Sequence, residues 1–233
     1  MAKTEPMADS RDMIVVHTMF RKQFAAIPGL VSGVAAGDRD QVAIVADHVA
    51  WMVEFLHAHH EGEDLMVWPR LVERCPTEVE PLIFTMESQH HALALALDDL
   101  AARAGEWRST AAAAERDALA EGAAELLVRI AEHLDLEELK VLSLIDKYLT
   151  EKEWRQVGGS GLKKMSFSQL KVAFGMILDD APPAHVQTMR ETIPRAPWLL
   201  FSVLGPRTYT KYAERLRGIT VSGHRAPVRG AGS

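Results

Sequence analysis

Two stretches of this chain set histidine and carboxylate at a spacing that suits a metal ion. His57 to Leu71 reads HAHHEGEDLMVWPRL, and His133 to Leu142 reads HLDLEELKVL. Each holds a histidine followed four residues later by a glutamate: His59 with Glu63, and His133 with Glu137. On an α-helix such residues lie one turn apart on one face, so each pair offers an imidazole nitrogen and a carboxylate oxygen to one point. Two pairs on two helices can face each other across a bundle core, which is how helical proteins build two-metal carboxylate sites.

The elements that must position these pairs follow from hydrophobic periodicity. Asp9 or Ser10 can cap a first helix whose inward face reads Met13, His17, Phe20, Phe24 and Ile27, with Pro28-Gly29 expected to break or kink it. A second helix is expected from about Asp40 to Arg74, a third from Glu78 to Ala104, ended by Gly105, and a fourth to Tyr148, capped by Ser109-Thr110. Their inward stripes carry His59 with Glu63, then His90, then His133 with Glu137. Short connections between long helices imply antiparallel neighbours, so the expected fold is all-α, an up-down-up-down four-helix bundle over residues 10–150. Beyond it, Gly158-Gly159-Ser160-Gly161 reads as a flexible linker into short helices of a C-terminal extension, 151–220, and 221–233 as a disordered tail.

Register in the second helix has to be argued, because His57/Glu61, His59/Glu63 and His60/Asp64 overlap. The His57 face carries Glu54, Glu61 and Asp64 and reads as solvated. The His60 face includes Val53, Val67 and Leu71 and is the runner-up. The His59 face extends an apolar stripe in both directions and is preferred. His57, His60 and His91 then fall on outer faces, and His48, three turns from His59, reads as a surface or cap residue.

A buried imidazole or carboxylate without a partner is costly, so four histidines and two glutamates on core stripes need one another or a cation. Imidazole and carboxylate without thiolate suit iron, manganese or zinc. Four nitrogens and two bridging carboxylates leave two metals short of full coordination, with room for a bridge and an exogenous ligand.

Composition bounds the rest. Of 233 residues 48% are apolar, enough for a core, with alanine and leucine favouring helix. A net charge of −6 argues against nucleic acid as a partner. Cys75 is the only cysteine, which points to a reducing cytoplasm, and neither a signal peptide nor a membrane-spanning segment is expected.

The stretches HHEGEDLMVWPRL, MESQHHALALAL, HLDLEELKVL and the early VVHTMFRKQF resemble the haemerythrin, or HHE cation-binding, family over about residues 10 to 148. The resemblance implies that His17, His59, Glu63, His90, His133 and Glu137 hold two iron ions in an oxo- or hydroxo-bridged non-haem centre. Where the oxygen carriers have a second histidine one turn from His90, this chain has Met86 and Ala94, and its last pair ends on Glu137 instead of a later aspartate. In both respects it looks like the bacterial haemerythrin-like group. Glu87 is the candidate replacement ligand, with Tyr209 and Tyr212 as further candidates from the extension.

The resemblance implies a protein that binds or turns over dioxygen, hydrogen peroxide or nitric oxide, in oxygen handling or oxidative stress, with catalase-like, peroxidase-like or nitric oxide-reducing activity among the options. The alternatives are iron or oxygen sensing, iron storage without turnover, and an interaction module. The extension is a candidate homodimer surface.

Overall fold

The computed structural model describes residues 5–179 and 181–218, apart from the side chains of Pro76 and Glu78; the expected disordered tail lies outside the described residues. Among the described residues ten helices follow one another: α1 (Arg11–Ser32), α2 (Arg39–Met66), α3 (Trp68–Arg74), α4 (Pro76–Thr110), α5 (Ala113–Lys140), α6 (Leu142–Tyr148), α7 (Glu151–Lys163), α8 (Phe167–Leu178), α9 (Pro183–Thr192) and α10 (Arg195–Leu216). Among the described residues the only β pairing is an isolated bridge, Met7 with Thr150. The all-α expectation holds.

Four of the long helices close on one another, α1 against α2 and α5, and α4 against α2 and α5. Their apolar faces, with residues of the shorter helices and of α10, form two clusters. One gathers Phe20, Phe24, Val49, Leu56, Leu97 and Ile130; the other gathers Met13, Val67, Leu71, Ile83, Met86 and Ile145. Between them lies a polar layer of His17, His60, Glu63, His90, His133 and Glu137, all buried.

Several expected boundaries move. Helix α1 runs through Pro28, whose missing N–H removes one helical bond, to the carbonyl of Phe24, a turn before the end. Ser10 does not cap it: its amide donates to Asp146 Oδ1 at 2.8 Å, tying the helix start to α6. Gly105 sits inside α4, which continues until Ala111 turns left-handed (φ 56°), because Trp107 is buried and keeps the segment helical. Ser109 and Thr110 therefore end α4, and α5 starts from Ala112 without a side-chain cap.

The Gly-rich segment 158–161 is no linker. It lies within α7, which Thr150 and Glu153 start with a reciprocal capping box. Gly62 on α2 faces Ser160, and Gly161 faces the carbonyl of Ala58, so the small residues allow α2 and α7 to pack closely. The extension packs on the outside of α1 and α2. Within it α8 and α10 cross at Gly175 and Gly205, where a Cβ on Gly175 would fall 2.4 Å from the Gly205 carbonyl oxygen. That neighbour is backbone and cannot swing away. Gly175→Ala should therefore destabilise the α8–α10 pair by about 3 kcal/mol, read as a lower melting temperature and lost near-ultraviolet dichroism. An unchanged melt would show that the crossing is not so tight.

Candidate metal centre

Helices α1, α2, α4 and α5 each deliver polar residues at the level where the two apolar clusters meet. Two groups form, and each could hold an ion. In one, donor atoms of His17, His59, Glu63 and Glu137 lie within 4.8 Å of one another; in the other, those of His60, His90 and His133 do. The glutamates stand between the groups. Glu63 places Oε1 3.2 Å from His59 Nε2 and Oε2 3.5 Å from His90 Nε2. Glu137 Oε2 lies 3.4 Å from His17 Nε2 and 3.7 Å from His133 Nε2.

The outer nitrogens fix which way the inner ones point. Oxygen acceptors occupy Nδ1 of three rings: Glu138 Oε1 at 3.0 Å for His17, Asp64 Oδ1 at 2.6 Å for His90, and Gln89 Oε1 at 3.1 Å for His133. An acceptor there requires the ring to carry its proton on Nδ1, so a neutral ring turns a lone pair inward on Nε2. Yet Nε2 of His90 and Nε2 of His133 stand 3.2 Å apart. Two lone pairs at that distance repel unless a proton or a cation lies between them. In addition, both oxygens of Glu63, both of Glu137 and Nε2 of His60 are buried with no hydrogen-bond partner. Buried polar groups are rarely left so. The donor set fits a cation.

Electrostatics agree. Burial, then the neighbouring imidazoles, hold His59 and His60 well below the usual histidine range, and push His133 down to about 3. Burial first, and then Glu137, push Glu63 well above the usual carboxylate range. His59, His60 and His133 are thus neutral, as ligands must be. Burial works against ionisation of Glu138, but hydrogen bonds from His17 and Arg21 outweigh it and hold its carboxyl below the usual range. Arg21 also reaches Asp135 at 2.6 Å, so its guanidinium anchors the chain Arg21–Glu138–His17.

Five of the histidines thus converge, where four were expected. His60, assigned above to an outer face, is buried and stacks on His90 with ring centroids 4.2 Å apart. Consecutive helical residues project about 100° apart, so the pair His59-His60 straddles the inward seam and each ring serves one group. The HH doublet and the Val53–Val67–Leu71 face were the signals for it. Glu87, the expected substitute ligand, is exposed, because Met86 takes the inward position one turn before His90. Tyr209 and Tyr212 do not complete the site either: Tyr209 accepts a hydrogen bond from Gln23, and Tyr212 meets His48. His48 is itself buried rather than on the surface. His91 is exposed as expected, and His57 faces Asp98.

The family model described as the hemerythrin HHE cation binding domain matches residues 9–145. The chain belongs to the haemerythrin HHE cation-binding family. The matched segment contains every residue of both groups, and α7 to α10 lie beyond it. No curated protein and no solved structure matches the chain. Membership makes this haemerythrin domain metal-binding, and among the described residues no helix is long and apolar enough to cross a membrane.

Asp64 deserves a test of its own, since its Oδ1 accepts from both His90 Nδ1 and Trp68 Nε1. Asp64→Ala should weaken metal binding by about 10- to 100-fold, as loss of an outer carboxylate usually does, while Asp64→Asn keeps an acceptor and loses less. Equal affinities for the three proteins would remove Asp64 from the site.

Proposed function

We propose that the chain is an up-down-up-down four-helix bundle holding two iron ions, oxo- or hydroxo-bridged, and that it binds or turns over dioxygen, hydrogen peroxide or nitric oxide. The observation that carries the metal reading is the facing of His90 Nε2 and His133 Nε2 at 3.2 Å, with an acceptor behind each ring. The bundle topology is supported by the order of the clusters along each helix. Chain direction runs from Met13 to Phe20 in α1 and from Leu56 to Met66 in α2, then from Met86 to Leu97 in α4 and from Ile130 to Leu136 in α5. The cluster order reverses at each step.

His17, His59, Glu63, His90, His133 and Glu137 would be ligands, with His60 as a seventh, and Glu63 and Glu137 would bridge. The group of His17 and His59 has one imidazole fewer than its neighbour, so a small ligand would bind there. His59 is also its most exposed ligand, at 12%. Iron would supply Lewis acidity and accessible redox states. The protein would supply neutral imidazoles, two carboxylates and the dry wall of Phe20, whose ring centroid lies 5.1 Å from that of His59. Exposed Phe167, Leu199, Leu200 and Val203 on the extension would suit a homodimer surface.

Anaerobic loading with ferrous iron, metal analysis, and optical spectra before and after peroxide and nitric oxide test this reading. Two irons per chain with ligand-dependent charge-transfer bands are expected. A purified, folded chain that takes up no stoichiometric iron would overturn it.

A further inference from the structure

The metal layer is connected to the extension by a run of touching rings that the binding site itself does not require. His59 meets Phe20 at 5.1 Å between centroids, Phe20 meets Phe55 at 5.0 Å, Phe55 stacks on Trp51 at 6.3 Å, and Trp51 meets Tyr212 at 5.9 Å. Tyr212 on α10 places its hydroxyl 3.0 Å from Nδ1 of His48 on α2. His48 is 1% exposed, and its Nε2 has no partner. Burial holds His48 down to about 4, so its ring is neutral and can accept a proton on Nδ1. Burial also raises Tyr212, which stays a phenol with a proton to give. A single tyrosine against a neutral buried imidazole, packed on a tryptophan, is the arrangement that lets a phenol lose an electron and a proton together.

Tyr212 also lines a groove of about 300 Å³ with Arg207, Lys211 and Arg215, and no acidic residue lines it. Among the described residues none of these three cations forms an ion pair with an acid. The groove would therefore hold a small anion against the face of the extension that carries the phenol.

We propose that Trp51, Tyr212 and His48 form a one-electron relay between the metal layer and this basic groove, which takes a small anionic organic reductant. The relay rests on the metal reading above, with hydrogen peroxide as the oxidant at the centre. Tyr212 gives one electron through Trp51, while its O–H bond breaks and an N–H bond forms at Nδ1 of His48. Phe55 and Phe20 are too hard to oxidise to act as stations and serve as packed medium. A reductant in the groove then returns an electron to the Tyr212 radical, and the proton moves back from His48. Two rounds deliver two electrons to one peroxide, which takes up two protons and leaves as two waters. Each of two reductant molecules loses one electron and one proton.

The test separates the relay from the metal. Metal-free full-length protein is oxidised by a flash with a ruthenium polypyridyl and persulfate, and the radical is read by electron paramagnetic resonance. A tyrosyl signal is expected in the parent and in Tyr209→Phe, and its loss is expected in Tyr212→Phe, which removes one hydroxyl. His48→Phe should slow formation of the signal about a hundredfold, the usual effect of losing a positioned base. Ascorbate, the anionic probe, should quench the radical about tenfold more slowly in the R207E/K211E variant, whereas a neutral hydroquinone should not distinguish the two proteins. An undiminished radical in Tyr212→Phe, or ascorbate quenching indifferent to charge reversal, overturns the relay. Iron-loaded protein treated with peroxide should give the same signal. If iron binds in stoichiometric amounts and no Tyr212 radical forms, the relay fails and the metal reading stands. If no iron binds, the metal reading fails, and the flash result still judges the pair.

Discussion

Glu63→Met should abolish two-ion binding and, at the same time, make the metal-free protein more resistant to heat. In the folded chain Glu63 is fully buried and neither oxygen has a hydrogen-bond partner. Without a metal its burial is a cost, and Glu137 nearby adds to it. Replacing a buried ionisable group by an apolar one of similar volume is often stabilising by about 1–4 kcal/mol. With metal the sign reverses, because the parent gains about 4 kcal/mol at a free ion concentration a thousand times its dissociation constant, and the variant gains nothing comparable. Melting curves of both proteins, each with and without iron, should therefore cross over. A variant that still takes up two ions, or that melts lower in both conditions, would remove Glu63 from the site.

The same residue sets the pH dependence. Its carboxyl is raised well above the usual range, so the metal-free chain keeps a proton there to higher pH than an ordinary carboxyl does, a proton that the loaded chain cannot hold. Loading expels it. Affinity should rise with pH, and calorimetry in two buffers of different ionisation enthalpy should register the release. Binding with no proton release would mean that Glu63 is already ionised.

His60→Ala should lower the stoichiometry from two ions to one and weaken the remaining uptake at its own group by more than about 100-fold, the upper end seen for outer partners alone. His60 is one of only three imidazoles in its group, and it packs against both others, stacked on His90 and edge-on to His133 with centroids 4.9 Å apart. His91→Ala, on the exposed face of α4, is the control and should bind as the parent does. Equal stoichiometry in both variants would return the site to six ligands.

Much of this was legible in the sequence because the inward residues sit at helical period. The stripe through Met13, His17 and Phe20 and the stripe through Ile130, His133 and Glu137 needed only the 3.6-residue repeat. What the period cannot separate is two neighbouring residues that straddle one seam, which is why His60 fell on the wrong side of His59. Glycine was the other blind spot. At 158–161 its lack of a side chain serves close packing of α7 on α2, and a sequence read alone sees only a flexible composition. Tyr212 beside His48 joins residues 164 positions apart, and no local pattern announces such a pair.

The polar layer also divides the molecule into two apolar halves, each continuous within itself. Such halves are the raw material of separate cooperative units, and what couples them is whatever satisfies the layer. A cation bonded from both sides acts as a rivet: with it the halves open together, and without it each opens on its own. Iron supply would then be written into the chain as cooperativity, and through it into how long a molecule survives proteases.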